Sequence, residues 1–241
     1  MTLIHQRDDT VSSDSPSHRF HWQGTSIWTL NATKGKTVYG ERLRKIKGYE
    51  YRKWDPTRSK IGAALKRSKS LEEYLLPQPG EEILYLGAGH GTTISHLHDV
   101  VCGHENSSQG RILALDHAPR CIRDLHHLAN IRQGIVPVMA DVRNTNSWNM
   151  MIPHGVRWMF QDVSQAGQAE LFAKICHKFL HQGGIGILSL KSASERWFDK
   201  GRKAMVKDVE NTLKTDDLEV LESLDLHGLQ NHHQMFIVKR S

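Results

Sequence analysis

Glycine-rich and acidic residues fall at the ends of apolar runs in this chain, and their types suggest what each could do. Gly87-Ala88-Gly89-His90-Gly91-Thr92-Thr93 follows the run Ile83 to Leu86. Asp116, with His117 after it, closes Arg111 to Leu115. Asp141-Val142 follows Ile135 to Val138, and Asp162 closes Val156 to Phe160. Glycines at alternate positions let a backbone approach a ligand closely and open the next helix. A carboxylate about 25 positions further on, ending the next strand, can accept both hydroxyls of a ribose. That pairing fits a dinucleotide or S-adenosylmethionine. Asp141 could accept from an adenine amino group or cap the segment after it.

A second set is Lys60, Asp162 and Lys191, the last directly after the apolar run Ile185 to Leu190. Such a lysine can mark no more than the point where a strand emerges into water. Brought together, however, the set suits proton abstraction from a hydroxyl: a carboxylate orients one ammonium while a neighbouring cation favours its neutral form. The chain has 16 histidines but no HExxH or zinc-ligand spacing, and no GxSxG or GxxxxGK[ST].

The elements that must position these residues read as an α/β chain. From Glu81 onward, apolar strands alternate with helices expected over Thr92 to Val101, after Pro119, over Ala166 to Leu180 and over Lys203 to Leu213. A turn is expected at Gly183-Gly184, and a closing antiparallel pair over Leu218 to Leu226 and Gln234 to Val238. This predicts a doubly wound, mostly parallel sheet covered on both faces, with Pro137 assigning its strand to an edge. In such sheets ligands lie at the carboxyl ends of the strands. Before it, Trp22, Ile27 to Leu30 and Thr37 to Tyr39 alternate with turn residues and predict a small antiparallel sheet over 19–55. A helix is expected to start at Asp55-Pro56-Thr57-Arg58, and residues 1–18 read as a loose arm.

The 241 residues carry 32 Lys plus Arg against 26 Asp plus Glu, a net charge of +6. Disordered, collagen-like, coiled-coil and disulfide-scaffold classes are excluded. The polar start and the lack of a long apolar stretch predict a cytoplasmic protein with no membrane contact, and Cys102, Cys121 and Cys176 are expected to be buried thiols. Arg42, Arg44, Lys45, Lys47, Arg52, Lys53, Arg58, Lys60, Lys66 and Arg67 crowd one segment and would attract a polyanion.

Several of these stretches resemble the fibrillarin family. Tyr51-Arg52-Lys53-Trp54-Asp55-Pro56-Thr57-Arg58-Ser59-Lys60 is similar to its Tyr-Arg-x-Trp-Asn-Pro and Arg-Ser-Lys signature, and Leu84 to Thr93 to its cofactor loop. Phe160-Gln161-Asp162-Val163-Ser164-Gln165, with Gln168-Ala169, also follows the family, as does Val38-Tyr39-Gly40-Glu41. The resemblance implies a Rossmann-like seven-stranded methyltransferase domain over 56–241, with a small N-terminal antiparallel β domain. It implies S-adenosylmethionine-dependent 2′-O-methylation of ribose in rRNA, with tRNA a further substrate. Gly87 to Thr93, Asp116, His117, Asp141, Val142, Asp162 and Gln165 would hold the cofactor. Lys60, Asp162 and Lys191 match the catalytic positions, and His232 stands where the family has an acid. The expected partners are a box C/D guide RNA, a Nop5/Nop56/58-type scaffold and, through the particle, an L7Ae-type protein; the small sheet is expected to make protein or dimer contacts.

The sequence departs from the family at His232, at His90 in the cofactor loop and in the residues after Lys191, while Asp116 puts a shorter carboxylate at the family's usual glutamate position. These departures leave a weak or inactive scaffold subunit as the alternative, and the glycine loop alone also allows an NAD-linked oxidoreductase.

Overall fold

The computed structural model describes residues 19–191 and 201–241. The arm at 1–18 and the departing segment 192–197 lie outside the described residues.

Four short strands, β1 (Phe20–Gln23), β2 (Ser26–Leu30), β3 (Leu43–Ile46) and β4 (Tyr49–Trp54), form an antiparallel sheet in the order β1-β2-β4-β3. Thr37 to Tyr39, expected as a strand, is a loop. The Glu41 carboxylate accepts the N–H groups of Val38 and Tyr39 and so diverts them from any ladder. The outer strand is instead the polar β3.

The helix expected from Asp55 begins later, as α1 (Lys60–Arg67). Asp55 Oδ1 accepts from the backbone and hydroxyl of Thr57, which holds this stretch in a turn. Ser59 then caps the helix by accepting from the Gly62 N–H at 3.2 Å. Gly62 leaves room there for Trp54, since a Cβ would sit 3.0 Å from the indole nitrogen. A short helix, α2 (Glu72–Leu75), follows.

The larger sheet has the order β10-β11-β9-β8-β5-β6-β7. Its strands are β5 (Glu82–Leu86), β6 (Arg111–Asp116), β7 (Ile135–Met139), β8 (Val156–Gln161), β9 (Leu180–Lys191), β10 (Leu218–Asp225) and β11 (His233–Arg240). β5 to β9 are parallel, and β11 runs antiparallel between β9 and β10. Pro137 lies on edge strand β7, as its missing N–H dictates. The Gly183-Gly184 turn falls inside β9: pairing with β8 jumps from Val156↔Leu180 to Trp158↔Ile185, and the intervening residues bulge. A second irregularity interrupts β10 between Val220 and Glu222.

Alternate residues of the central strands enter different cores. Ile83, Tyr85, Ile112 and Ala114 pack with Trp54, α1, α3 (Thr92–Val101) and α4 (Pro119–Ala129). Leu84, Leu86, Leu113 and Leu115 pack on the opposite face with α5 (Gln168–Phe179) and α6 (Arg202–Leu213). Cys102 and Cys176 are buried, and Cys121, contrary to expectation, is half-exposed near the start of α4.

The small sheet is fastened to α3 by buried charge. Arg52, counted in sequence among the attracting cations, is wholly buried; it bonds Asp99 at 2.6 Å, the Ser95 hydroxyl at 2.6 Å, and Glu41. Asp99 also pairs with Arg132 at 2.6 Å and accepts from Thr29 at 2.7 Å. The two arginines balance the two carboxylates, so the adjoining histidines must remain neutral. His96 lies between Thr29 and Tyr39, 2.7 Å from each hydroxyl, and stacks on Trp54. His98 donates from Nε2 to the Gln133 carbonyl at 2.9 Å.

Burial holds His96 far below the usual imidazole range and brings His98 down to about 4. An unfolded histidine takes up its proton near pH ~6.5, so between that pH and about 4 the unfolded chain binds more protons. Stability must therefore fall as pH drops through this window, by up to about 3 kcal/mol for His98 alone. Melting temperature recorded from pH 7 to 4 should show the decline, and His98→Gln should make it shallower; parallel curves would contradict it.

Candidate active site

The site is built at the carboxyl ends of β5 and β8, where the chain turns from filling one side of the sheet to filling the other. Gly87 and Ala88 both donate to the Leu115 carbonyl at 2.9 Å, and Asp162 donates its N–H to the Leu86 carbonyl at 2.8 Å. Gly87 has φ +79°, and a Cβ there would lie 2.3 Å from the Asp162 carbonyl oxygen. Only glycine lets these two strand ends close.

Asp116, nearly buried at the end of β6, accepts the Gly89 N–H at 2.9 Å and the Ala118 N–H at 2.8 Å. It thereby sets the loop. Gly89 has φ +60° with no atom within 4 Å of a Cβ position, so the loop leaves open space beside its backbone. Gly91, at φ +88°, opens α3 under Thr92 and Thr93. An open glycine loop with a carboxylate at the next strand end fits the adenosyl group of the cofactor named above. His90 turns away from the loop instead, its Nδ1 2.7 Å from Asp124 on α4. His117 is exposed, Gln165 half-buried and Val142 buried.

Asp141 is exposed and engaged by Arg143, whose guanidinium donates at 2.6 Å and 3.0 Å. Those hydrogen bonds hold its carboxyl below the usual range. It accepts the Arg143 N–H in a local turn, but no α-helix follows for it to cap.

Lys60, the first residue of α1, reaches Asp162 at 2.8 Å, with both side chains mostly shielded from water. Thr93 donates to the Ser59 hydroxyl at 2.9 Å, which ties the start of α1 to the helix behind the glycine loop. Lys191 ends β9. There the buried Gln168 side chain accepts its N–H at 3.2 Å and donates to its carbonyl at 3.5 Å. The Asp162 carboxylate is thus paired with Lys60, and among the described residues no ion pair to Lys191 is formed.

Beside the expected fourth member, the next residue also comes to this end of the sheet. His232 is exposed, with φ +63°, before β11 begins. His233 instead lies across from Lys191 in the β11–β9 register, which puts the two side chains on one face. Its Nδ1 donates to the Asn231 carbonyl at 2.9 Å, so the neutral ring presents Nε2 as an acceptor. Burial lowers its pKa; Lys60 and Lys191 lower it further, opposed by the Asn231 hydrogen bond and Asp162. No alternation along β11 separates 233 from 232, because Gln234 to Val238 are all buried; the pairing register does. The hold of Gln168 on the Lys191 backbone spans 23 positions and has no local signal in the sequence.

Residues 18–241 match the model of the Fibrillarin family. A fibrillarin-like rRNA/tRNA 2′-O-methyltransferase of Thermococcus onnurineus is 36% identical over 214 residues, covering 89% of this chain and 90% of the relative. The crystal structure of Aeropyrum pernix fibrillarin in complex with natively bound S-adenosyl-L-methionine has a TM-score of 0.73 at 32% identity, covering 88% of each chain. A crystal structure of a fibrillarin/Nop5p complex has a TM-score of 0.73 at 26% identity, covering 93% of this chain and 98% of that one.

The approach of Gly87 to Asp162 can be tested against a glycine of similar backbone angle and free surroundings. Gly183→Ala, at φ +72° with nothing within 4 Å, should cost about 1 kcal/mol of backbone strain. Gly87→Ala should cost about 1–3 kcal/mol more, because the added carbon meets backbone. Urea unfolding of the two variants decides it, and equal losses would contradict the close approach.

Proposed function

The chain belongs to the fibrillarin family, and on that premise we propose that it is an S-adenosylmethionine-dependent RNA methyltransferase that modifies the ribose 2′-oxygen of rRNA, and of tRNA, at nucleotides chosen by a box C/D guide RNA. The observation that carries this reading is the grouping of Lys60, Asp162, Lys191 and His233 beside the glycine loop. S-adenosylmethionine, when bound, supplies a methyl group activated on a sulfonium. The backbone of Gly87 to Gly91, Thr92 and Thr93, the Asp116 carboxylate, Asp141 in its turn with Arg143, Asp162, and the neighbouring His117, Val142 and Gln165 would hold it.

Methylation of a hydroxyl requires that its proton leave and that negative charge on the oxygen be stabilised as it develops. Lys191, held through its backbone by Gln168, supplies positive charge at that oxygen. Lys60 supplies a second charge and, by pairing with Asp162, keeps that carboxylate from repelling the anion. The free Nε2 of His233 is the proton acceptor. This histidine is lowered from the ordinary imidazole value, so it remains a base at neutral pH and below. The acid missing at 232 thus gives less ground for an inactive subunit, because the neighbouring residue brings a base to the cluster. Family membership likewise removes the ground for hydride transfer.

A Nop5-type scaffold is the proposed partner, supported by the relative that forms a complex with Nop5p, with an L7Ae-type protein reached through the particle. No helix among the described residues is long and apolar enough to cross a membrane.

The test is methyl transfer from labelled S-adenosylmethionine to a guide-matched RNA in the reconstituted particle. Wild type should transfer label. Lys191→Ala should lose about 10²-fold or more, and His233→Ala should fall similarly while losing the acidic limb of the pH profile. That limb should lie below pH ~6.5 in the wild type, since a lowered pKa keeps the base free to lower pH. His232→Ala should stay within about twofold. A large loss in His232→Ala with none in His233→Ala would reverse the assignment, and an unlabelled RNA in a complete particle would overturn the function.

A further inference from the structure

A cleft of about 460 Å³ opens between the small sheet and the methyltransferase core, outside the cluster described above. Its walls come from separate parts of the chain. Thr37, Val38 and Tyr39 come from the loop of the small sheet and Arg58 from the turn before Lys60, while His90 and Thr92 come from the glycine loop and His127 from α4. The Arg58 guanidinium lies over the Tyr39 ring, 4.9 Å from its centre. Tyr39 is itself fixed, its hydroxyl 2.7 Å from His96 and accepting the Asp55 N–H at 3.3 Å. The ring is therefore a fixed platform beneath the Arg58 guanidinium. Among the described residues Arg58 has no carboxylate partner, whereas Lys66 and Arg67 in the following helix are spent on the carbonyls of Thr25 and His227.

The carboxylate that lines the cleft, Asp124, is occupied by His90 and Arg123, and Glu41 behind the loop is engaged by Arg52 and by the N–H groups of Val38 and Tyr39. What remains at the opening is the Arg58 guanidinium, the imidazoles of His90 and His127, the hydroxyls of Thr37 and Thr92, and apolar surface from Val38, Leu128 and Ile131. Flat π-faces and a free cation, with polar groups between them, are the chemistry that takes an unstacked base together with its phosphate. Arg42 and Lys53 extend the positive charge outward along the sheet: both are exposed, and the Lys53 N–H bonds the Arg42 carbonyl at 2.9 Å.

We propose that this cleft is a subsite for a nucleotide of the substrate RNA next to the one modified, in which Arg58, held on Tyr39, takes the phosphate and the imidazoles of His90 and His127 flank the base. The inference rests on the RNA methyltransferase reading. In it, the loop histidine that departs from the family pattern belongs to the RNA side of the loop. Arg58 is a positioning residue for the RNA strand and has no part in proton transfer.

The test uses the reconstituted particle with guide RNA and a matched substrate RNA. Arg58→Ala should raise the KM for substrate RNA about tenfold with kcat within twofold, and should lower the slope of log affinity against log salt by about one phosphate contact. Its affinity for S-adenosylmethionine should not change. Arg58→Lys should restore the salt slope but only part of the KM, because an ammonium cannot stack in the same way. 4-Thiouridine placed in the substrate RNA beside the target should cross-link to a peptide containing Tyr39 or His127. Unchanged KM and salt slope in Arg58→Ala, with an active wild type, would overturn the subsite alone. Absent methylation in the wild type would overturn the function on which it rests. Failure of the Arg58→Ala chain to join the particle would assign the cleft to a protein partner and overturn the RNA proposal.

Discussion

The geometry of the molecule depends on Asp99. One carboxylate on α3 holds Arg52 of the small sheet and Arg132 after α4, both out of contact with water. Removing either arginine would leave charge in an interior that cannot solvate it, typically a cost of about 3–5 kcal/mol. The same helix begins at Gly91, so the pair that locks the small sheet also fixes the direction from which the glycine loop is presented. Arg52 lies in the strand that runs on to Trp54, the Asp55 turn, Ser59 and Lys60. One buried cluster therefore sets both the cofactor loop and the reach of Lys60, and the Thr93–Ser59 hydrogen bond fastens them a second time.

Two kinds of constraint meet at the reactive end of the sheet. Gly87 and Asp162 are forced together by the parallel pairing of β5 and β8, and the absence of a side chain at 87 is what permits it. Lys191 and His233 are matched by antiparallel pairing, in which opposed residues share a face. The antiparallel insertion of β11 is thus the means by which a histidine near the end of the chain comes to face a lysine at the end of a parallel strand.

Much of this was legible in the sequence because it is local. Apolar runs of strand length, the glycine loop, and acids at positions 116, 141 and 162 mark the parallel sheet and the end at which it binds, and Pro137 marks its edge. Likeness to a family placed the lysines and Asp162 without stating which pairs they form. What the sequence hid was of two sorts. Arg52 read as one of a run of attracting cations, and Asp99 and Arg132 gave no signal, because these partners lie 47 and 33 positions apart. His232 and His233 are adjacent and identical, and a shift of one residue in a strand exchanges its two faces, so only the observed register separates them. Turn chemistry explains the remaining differences: Asp55 delays α1, and Glu41 keeps Val38 and Tyr39 out of the sheet.

The irregularities of the large sheet also bear on how the protein behaves at high concentration. Unpaired strand edges are templates on which a second chain can stack, the usual route to aggregation of β structure. At one edge, β7 carries a proline with no donor to offer. At the other, β10 is interrupted between Val220 and Glu222 and bears exposed Glu219 and Glu222. A chain laid against either edge would meet a missing hydrogen bond or repelling acids. The sheet is terminated on both sides, so the protein can be crowded into a large assembly without its strands continuing into those of its neighbours.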